Sequence, residues 1–295
     1  MILVAGGTGT LGRPLVRALA AEPGGLRVLT RDGAHAAELR AAGIEPVIGD
    51  VRDAAARDAA VAGCDTVVAA VHGFTGPRGA GPAEIDRDAT TALIGAAVAA
   101  GVERFVLVSA YGAAPDHAMS LHRMKHAAEQ ALMRSGLRWS IVRPTSYLET
   151  WLGIIGARLD ERHSVMVFGK GENPINFVSV QDVVEAILNA VHGDADERIV
   201  DVTGPADLGL AEIASTLAAR SSPPVRVAHV PLGMLRAMAV LARPISPAFA
   251  RQAQAAVLMN TTDMTVAPKS ARQHATTIDE VLDRRGDGRV ADPRS

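Results

Sequence analysis

Residues 6–12 read Gly-Gly-Thr-Gly-Thr-Leu-Gly and directly follow the apolar run Ile2–Ala5. A glycine pattern between a strand and a helix is typical of the first turn in a dinucleotide-binding βαβ unit. In such a unit we expect Gly7 to permit the tight turn, Gly9 to let the backbone approach a pyrophosphate, and Gly12 to let helix and strand pack closely. The helix N-terminus would offer N–H groups and a positive dipole end to the phosphates. A glycine-rich turn without a ligand is the alternative interpretation.

Short apolar runs alternate with longer runs rich in alanine and leucine through the first half of the chain. The apolar runs predict strands at Ile2–Ala5, Arg27–Thr30, Glu45–Ile48, Thr66–Val71, Arg104–Ser109 and Trp139–Val142. The longer runs predict helices at Leu11–Ala21, Ala34–Ala42, Ala54–Ala60, Glu84–Ala100 and Ser120–Ser135. Such alternation requires parallel strands joined by crossover helices, and apolar strands indicate helices on both faces. The predicted fold class is therefore α/β, a Rossmann-like doubly wound parallel sheet.

The regular alternation weakens after Pro144 and divides the chain unequally. We predict an NAD(P)-binding domain over residues 1–146 and 165–204, because a strand at Val165–Phe168 and a helix and strand after it continue the pattern. A smaller interleaved substrate or lid region is predicted over 147–164 and 205–285, with helical stretches at Leu232–Ala242 and Ala248–Met259. Residues 286–295 are charged and contain glycine, which predicts a flexible tail.

The charge and the cysteine content of the chain limit which classes of ligand and which cellular compartment we expect. The 295 residues carry 30 Lys+Arg and 32 Asp+Glu, a formal charge of −2, so we expect no nucleic acid and no membrane as partner. A small-molecule substrate is the better expectation. The one cysteine, Cys64, and the lack of a basic segment before Ile2 predict a cytoplasmic protein.

The end of the second predicted strand bears on the choice of dinucleotide. An NAD site commonly offers a carboxylate there to the ribose 2′-hydroxyl, whereas an NADP site offers an arginine to the 2′-phosphate. Arg31 is the first residue after the strand, and Arg13 lies one residue beyond the glycine motif. These two guanidiniums favour NADP (NADPH). Asp32 is the competing signal, so NAD stays possible, although Asp32 can also cap the following helix.

Six segments resemble the atypical short-chain dehydrogenase/reductases, specifically their NmrA-like NAD(P)-binding group. They are VAGGTGTLG, VLTRD, GDVRD, ERFVLVSAYGA, SGLRWSIVRPTSYLE and, later, FGKGENPINFVSVQDVVEAI. The resemblance implies that Asp50 and Val51 flank the adenine and that His72 lies between the phosphates and the nicotinamide. It also implies that Pro144 passes beside the nicotinamide. With the glycine pattern, the predicted cofactor-binding residues are Gly6, Gly7, Thr8, Gly9, Thr10, Leu11, Gly12, Arg13, Arg31, Asp50, Val51, His72, Ser109, Lys125 and Pro144.

The catalytic pair of these enzymes is incomplete here. In short-chain dehydrogenases a Tyr-x-x-x-Lys motif follows the fifth strand, and the lysine binds the ribose and assists the tyrosine as acid or base. Lys125 stands at the lysine position, but Leu121 occupies the tyrosine position. We favour ribose binding for Lys125, with a role as base in a dry pocket as the alternative. Ser109 and Tyr111 are the other candidate catalytic residues, although Tyr111 can equally be a loop residue.

Two histidines on the same predicted helix raise the question of a metal. His122 and His126 are four residues apart, a spacing that can present two imidazoles together. Arg123 stands where a metalloprotease would have its glutamate, and no third ligand is evident. We therefore predict no metal site.

Three functions fit these features. The favoured one is an NADPH-dependent oxidoreductase that reduces a small apolar carbonyl, quinone or enone, because a conjugated acceptor does not need an enzymic acid. The second is a nonenzymatic redox sensor that binds NAD(P) and a partner protein, which Leu121 supports and the NmrA-like resemblance implies. The third, a protein similar to sugar-nucleotide epimerases, is the weakest, because the tyrosine is missing and aromatic residues make up only 3% of the chain.

Overall fold

The computed structural model describes residues 1–157, 159, 163–193, 197–221, 225–266 and 275–286. These residues form two compact units. Unit 1 comprises Met1–Pro144 and Val183–Val202, and unit 2 comprises Thr145–Asp182 and Thr203–Ser295. The predicted tail lies outside the described residues except for Gly286.

A seven-stranded parallel sheet is the centre of unit 1. Its strands are β1 (Ile2–Ala5), β2 (Leu26–Thr30), β3 (Glu45–Ile48), β4 (Thr66–Ala69), β5 (Arg104–Val108), β6 (Arg138–Pro144) and β10 (Arg198–Val202). The order across the sheet is β10-β6-β5-β4-β1-β2-β3, so β1 and β4 are neighbours although three strand–helix units separate them in sequence. The chain reverses direction across the sheet at this pair, and ligands of such folds bind beyond the carboxyl ends of the strands there. The predicted fold class is confirmed.

The helices of unit 1 follow from the predicted pattern. They are α1 (Gly12–Leu19), α2 (Gly33–Ala41), α3 (Ala54–Val61), a π-helical segment (Ala83–Ala89) that continues into α4 (Thr90–Ala99), and α5 (Ser120–Met133). In α1 the buried Leu15 and Leu19 are one turn apart, which places a single apolar stripe toward the sheet. Gly43, Gly101 and Gly136 follow α2, α4 and α5 with φ between 72° and 79°, the left-handed conformation expected after a helix.

Unit 2 contains two small sheets and several helices. The three-stranded sheet has the order β11 (Asp207–Leu208), β9 (Ile175–Val178), β7 (Ser146–Tyr147), and the two-stranded sheet pairs β12 (Arg226–Val230) with β8 (Ser164–Phe168). Its helices are α6 (Leu148–Ile155), α8 (Leu210–Ala219), α9 (Leu232–Leu241), α10 (Pro247–Met259) and α11 (Ile278–Gly286), while α7 (Val180–His192) runs from unit 2 into unit 1.

The structure differs from the predicted domain assignment at Val165–Phe168. This segment pairs with β12 in unit 2 rather than joining the large sheet, whereas Arg198–Val202 does join that sheet beside β6. Val165 and Val167 are buried in the core of unit 2 and alternate with partly exposed residues, as in a strand with only one covered face. The inner strands β1, β2, β4 and β5 of the large sheet are buried at all or all but one of their positions, whereas its edge strand β10 also alternates. Burial therefore distinguishes Val165–Phe168 from the inner strands of the large sheet.

Candidate functional site

The glycine loop between β1 and α1 is shaped by contacts that exclude a side chain at most of its glycines. Gly6 has a φ of 99°, and a Cβ there would lie 2.6 Å from the carbonyl oxygen of Ala70, just beyond β4. A Cβ on Gly12 would overlap the carbonyl oxygen of Gly6, so the helix packs directly on the loop. The prediction for Gly12 agrees with this close packing. The tight turn, however, depends on Gly6 and not on Gly7, which instead packs against Val28.

Gly9 is different from the other glycines of the loop. It is exposed, and a Cβ built on it would meet no atom within 4 Å. The Arg13 N–H donates to the Gly9 carbonyl oxygen at 3.1 Å, which begins the first turn of the helix at the loop. The loop therefore has an open backbone surface at the N-terminus of α1. A surface of this kind would let a pyrophosphate approach the backbone, the role predicted for Gly9, and a side chain at position 9 would project into that space.

The end of β2 separates the roles of Arg31 and Asp32. The Asp32 carboxylate accepts the Ala34 N–H at 2.8 Å and caps α2, which was the alternative interpretation of this residue. Arg31 is 71% exposed, and its Nη1 lies 3.8 Å from Asp50 Oδ2. Arg13 Nε donates to the Thr8 carbonyl oxygen at 3.3 Å, and its convergence with Arg31 on a phosphate stays a prediction.

Arg52 is a residue of this region that the sequence analysis missed. Its guanidinium forms a bidentate ion pair with Asp50, with Nε 2.9 Å from Oδ1 and Nη2 2.7 Å from Oδ2. Hydrogen bonds from Arg52 are the main reason that the pKa of Asp50 falls to about 2, so this carboxylate is ionised at neutral pH. Arg52 Nη1 also donates to the Gly79 carbonyl oxygen at 2.6 Å, which ties the end of β3 to the loop after β4. The GDVRD segment contained this signal, as an aspartate and an arginine two residues apart.

Lys125 lies inside unit 1, where its ammonium contacts two carbonyl oxygens and one carboxylate. Its Nζ donates to the carbonyl oxygens of Val71 and Val108, both at 2.9 Å, and forms an ion pair with Asp86 Oδ1 at 3.0 Å. The side chains of Lys125 and Asp86 are 5% and 0% exposed. Asp86 lies in the π-helical segment, a geometry often found at functional sites, and its Oδ2 accepts the Gly73 N–H at 2.8 Å. Lys125 therefore fixes the carboxyl ends of β4 and β5, whereas its predicted contact with a ribose stays a prediction.

Ser109 is part of a second buried network one turn further along α5. Its hydroxyl donates to Glu129 Oε1 at 2.5 Å. Arg143 in β6 binds the same carboxylate in a bidentate manner, at 2.8 Å from Nε to Oε1 and 2.5 Å from Nη2 to Oε2. Glu129 is four residues after Lys125, so both charged groups lie on one face of α5. That face holds the carboxyl ends of three neighbouring strands in place.

Leu121 stands where the catalytic pair has its tyrosine, and Tyr111 is the candidate replacement for that tyrosine. Leu121 is half-buried at the tyrosine position, so no phenol stands one turn before Lys125. Tyr111 is half-buried, and its backbone N–H donates to the Pro144 carbonyl oxygen at 2.9 Å, beyond β5 and at the end of β6. No hydrogen bond to its hydroxyl comes from the described residues. Tyr111 is therefore the candidate acid that is not already engaged within unit 1.

The histidines of the region do not form a metal site among the described residues. His122 stacks on His117, with ring centroids 4.0 Å apart, while His126 Nδ1 lies 3.8 Å from Glu129. Loss of hydration on burial lowers the pKa of His122 to about 3, so its imidazole is neutral at physiological pH. His72 is the third residue after β4 and is exposed.

The predicted cofactor residues share one edge of the large sheet. All except Lys125, which lies on α5, follow a strand or end it: residues 6–13 after β1, Arg31 after β2, Asp50 and Val51 after β3, His72 after β4, Ser109 after β5, and Pro144 at the end of β6. Because the strands are parallel, their carboxyl ends meet at this edge. The sequence analysis predicted these residues as cofactor contacts, which stays a prediction, and did not name Asp86, Glu129 and Arg52, whose acidic or basic groups form hydrogen bonds and ion pairs within unit 1.

This edge geometry agrees with a match to known proteins. A family described as NAD(P)H-binding matches residues 6–194, more than half of the chain. The chain belongs to this NAD(P)H-binding family. The resemblance to the atypical short-chain dehydrogenase/reductases of the NmrA-like group is thereby confirmed.

Two relatives and one solved structure are similar to this member of the NAD(P)H-binding family. The NAD(P)H azoreductase of Xenophilus azovorans is 33% identical over 233 residues, covering 79% of this chain and 78% of that protein. The (4-alkanoyl-5-oxo-2,5-dihydrofuran-3-yl)methyl phosphate reductase of Streptomyces griseus is 30% identical over 262 residues, or 86% of each protein. The Escherichia coli NADPH-dependent quinone oxidoreductase, complexed with NADPH, superposes with a TM-score of 0.76 at 20% identity over 97% of this chain and 100% of that chain.

A separate cleft lies within unit 2. Its volume is about 920 Å³, and its lining includes Lys170, Asn173, His229 and Asn260. The amide groups of the lining are already used, because Asn173 Nδ2 donates to the carbonyl oxygens of Met259 and Thr262 and Asn260 Nδ2 donates to that of Phe168. These bonds anchor the segment around residues 169–174, so the cleft is explained by loop packing. In the part of the chain that is described, no helix has the length and apolar character to span a membrane.

Proposed function

We propose that the protein is an NADPH-dependent reductase of small conjugated acceptors, such as quinones, enones or azo compounds. One observation carries the proposal: Lys125 and Ser109, the groups that could replace the missing tyrosine, are held by Asp86 and Glu129 inside the protein. A site arranged in this way lacks the Tyr–Lys pair that protonates a simple ketone in short-chain dehydrogenases. The names of the two relatives, an azoreductase and a reductase of a conjugated ring, support the same substrate class.

Conjugation explains how the reaction proceeds without that acid. NADPH supplies a hydride when it is bound. A quinone, an enone or an azo compound that accepts a hydride spreads the resulting negative charge over oxygen, nitrogen or a ring, and water can protonate it later. The residues of this chain bind and orient the cofactor. The loop at Gly9 offers backbone N–H groups to its phosphates, and the network of Lys125 and Glu129 keeps the strand ends in place.

An acceptor panel tests the proposal. We expect the purified full chain to oxidise NADPH, followed at 340 nm, with a quinone, an azo dye and a cyclic enone, and to leave a simple aliphatic ketone unreduced. The ketone is the matched negative control, since it has the carbonyl but lacks conjugation. The proposal is wrong if none of the conjugated acceptors is consumed, or if the ketone is reduced as fast as the enone.

A preference for NADPH over NADH is proposed on the basis of Arg31. Asp32 is used as a helix cap, whereas the exposed Arg31 guanidinium can turn to a 2′-phosphate. We expect Arg31→Ala to raise the Kd for NADPH about tenfold, since a hydrogen bond to a charged group is worth roughly 1.5–3 kcal/mol. The Kd for NADH should hardly change. Arg40→Ala, an exposed arginine on α2, is the matched control, and equal losses for both cofactors would exclude the assignment.

Tyr111 is proposed as the group that assists protonation after hydride transfer. We expect Tyr111→Phe to lower kcat for a cyclic enone about tenfold or more, because an enolate is more basic than a hydroquinone anion and gains more from an acid. The loss with a quinone should be clearly smaller. Steady-state kinetics on both acceptors measures this difference, and an equal loss on both would indicate that Tyr111 positions the acceptor instead.

A nonenzymatic NAD(P) sensor is the second candidate, because Leu121 replaces the tyrosine of the catalytic pair. In that case NADPH should stabilise the protein against heat while no acceptor in the panel is reduced. A protein partner would then bind with an affinity that differs between the oxidised and the reduced cofactor.

A further inference from the structure

The hairpin of α9 and α10 in unit 2 exposes apolar side chains on a surface that none of the described residues covers. Leu235 and Ala239 face inward from α9 and are buried, as expected for one apolar stripe. The opposite face is also apolar: Met234, Val240 and Leu241 are 54%, 59% and 71% exposed. A helix that is apolar on both faces is normally covered on both. The exposed face of α9 is therefore a candidate contact surface.

The exposed apolar surface continues around the connection between the two helices. Ile245 in the turn is 87% exposed, and Phe249 in the first turn of α10 is 42% exposed. We call Met234, Val240, Leu241, Ile245 and Phe249 the apolar hairpin surface. Further along α10 the exposed positions are Gln252 and Gln254, so the apolar surface is limited to α9 and the tip of the hairpin.

The charges of the hairpin all have one sign. From Pro231 to Thr262 the chain contains Arg236, Arg243 and Arg251 and no aspartate, glutamate or lysine. Arg236 and Arg243 are exposed, and Arg243 Nε donates to the Ala239 carbonyl oxygen at 3.2 Å, which fixes its position beside the last turn of α9. The whole-chain charge of −2 hides this local excess. The surface is thus apolar at its tip and positive at its sides.

We propose that this hairpin docks on the surface of an anionic lipid bilayer. A protein that docks on such a bilayer places apolar side chains at the boundary between headgroups and acyl chains and basic side chains at the phosphates. The hairpin has both features, the apolar hairpin surface and the arginines beside it. A second copy of the chain matches only the apolar part, because a two-fold contact would bring the same arginines of both copies together. Docking at the surface requires no membrane-spanning helix.

Vesicle co-sedimentation of the full chain tests the proposal. We expect strong binding to phosphatidylcholine vesicles that contain phosphatidylglycerol, weak binding to phosphatidylcholine alone, and a decrease in binding as salt is added. The variant Leu241→Ser/Ile245→Ser should bind the anionic vesicles at least about tenfold more weakly. The variant Arg236→Gln/Arg243→Gln should lose the preference for anionic vesicles and most of the salt dependence.

Matched controls and competing occupants complete the test. Val98→Ser/Ile199→Ser removes two apolar side chains of unit 1 that are 46% and 42% exposed and should bind vesicles as the parent protein does. Unchanged thermal melting of all variants shows that the fold is intact. The proposal is overturned if the parent protein does not bind anionic vesicles, or if Leu241→Ser/Ile245→Ser binds them equally well. The proposal is also overturned if the parent protein forms a dimer that Leu241→Ser/Ile245→Ser abolishes. Binding of the apolar hairpin surface to an acidic protein, without binding to vesicles, would overturn it as well.

Discussion

Gly9→Ala is expected to raise the Kd for NADPH at least about a hundredfold while the stability of the protein without cofactor stays unchanged. A Cβ at position 9 meets no protein atom within 4 Å, so the fold accepts alanine there. The same Cβ would occupy the open backbone surface at the N-terminus of α1, where a pyrophosphate must approach closely. The loss of several charge-assisted hydrogen bonds accounts for the size of the effect.

Thermal melting with and without NADPH separates the two parts of this expectation. Without cofactor, Gly9→Ala should melt at the same temperature as the parent protein, whereas the increase in Tm caused by NADPH should almost disappear. Gly95→Ala in α4 is the matched control, because its Cβ also meets nothing within 4 Å but it lies in the middle of a helix. If Gly9→Ala kept the full increase in Tm, the glycine loop would not be the pyrophosphate site.

Gly12→Ala should behave in the opposite way. Its Cβ would overlap the Gly6 carbonyl oxygen, so the first turn of α1 must move away from the loop. We therefore expect the protein without cofactor to become less stable, by the amount typical of an overpacked core position, roughly 1–3 kcal/mol. Urea unfolding measures this loss. A Gly12→Ala protein as stable as Gly9→Ala would contradict the close packing of α1 on the loop.

The large sheet could be predicted from sequence because its strands are encoded locally. Ile2–Ala5 and Glu45–Ile48 were predicted with the bounds that the structure has, since each ends in apolar residues and is followed directly by glycine. The pairing of Val165–Phe168 could not be predicted in this way. Its partner, Arg226–Val230, is about 60 residues away and carries exposed residues at four of its five positions. The sequence of neither strand therefore indicates that it pairs with the other.

The buried ion pairs were missed for a similar reason. Lys125 was found because a family pattern marks its position, but Asp86 has no such mark and is distant in sequence. A solvated aspartate and a buried one look alike in a sequence, because burial depends on which segments meet. Glu129 was the exception that could have been found, since its spacing of four from Lys125 placed a second charge on the face of α5 that also carries the buried Ala128 and Leu132.

The buried pair of Lys125 and Asp86 is expected to give the largest stability effect in the protein. Asp86→Ala leaves the Lys125 ammonium buried without its anion and removes the carboxylate that accepts the Gly73 N–H. Losing one partner of a buried pair costs about 3–5 kcal/mol. Lys125→Met should cost a similar amount, because it leaves the Asp86 carboxylate unpaired. The double variant should lose much less than the sum of the two. Urea unfolding of the four proteins gives this coupling free energy.

The same four proteins decide whether Lys125 also binds cofactor. If its only role is to join β4, β5 and Asp86, then Asp86→Ala with and without Lys125→Met should bind NADPH with equal affinity. If the ammonium contacts the ribose, Lys125→Met should weaken NADPH binding about tenfold even in the Asp86→Ala background. We expect the second result, since the released ammonium would lie at the strand ends where the predicted cofactor residues meet. Asp86→Asn keeps an acceptor for the Gly73 N–H and provides a milder variant for the binding measurement. If the stability losses of the two single variants simply add in the double variant, the side chains of Lys125 and Asp86 do not interact.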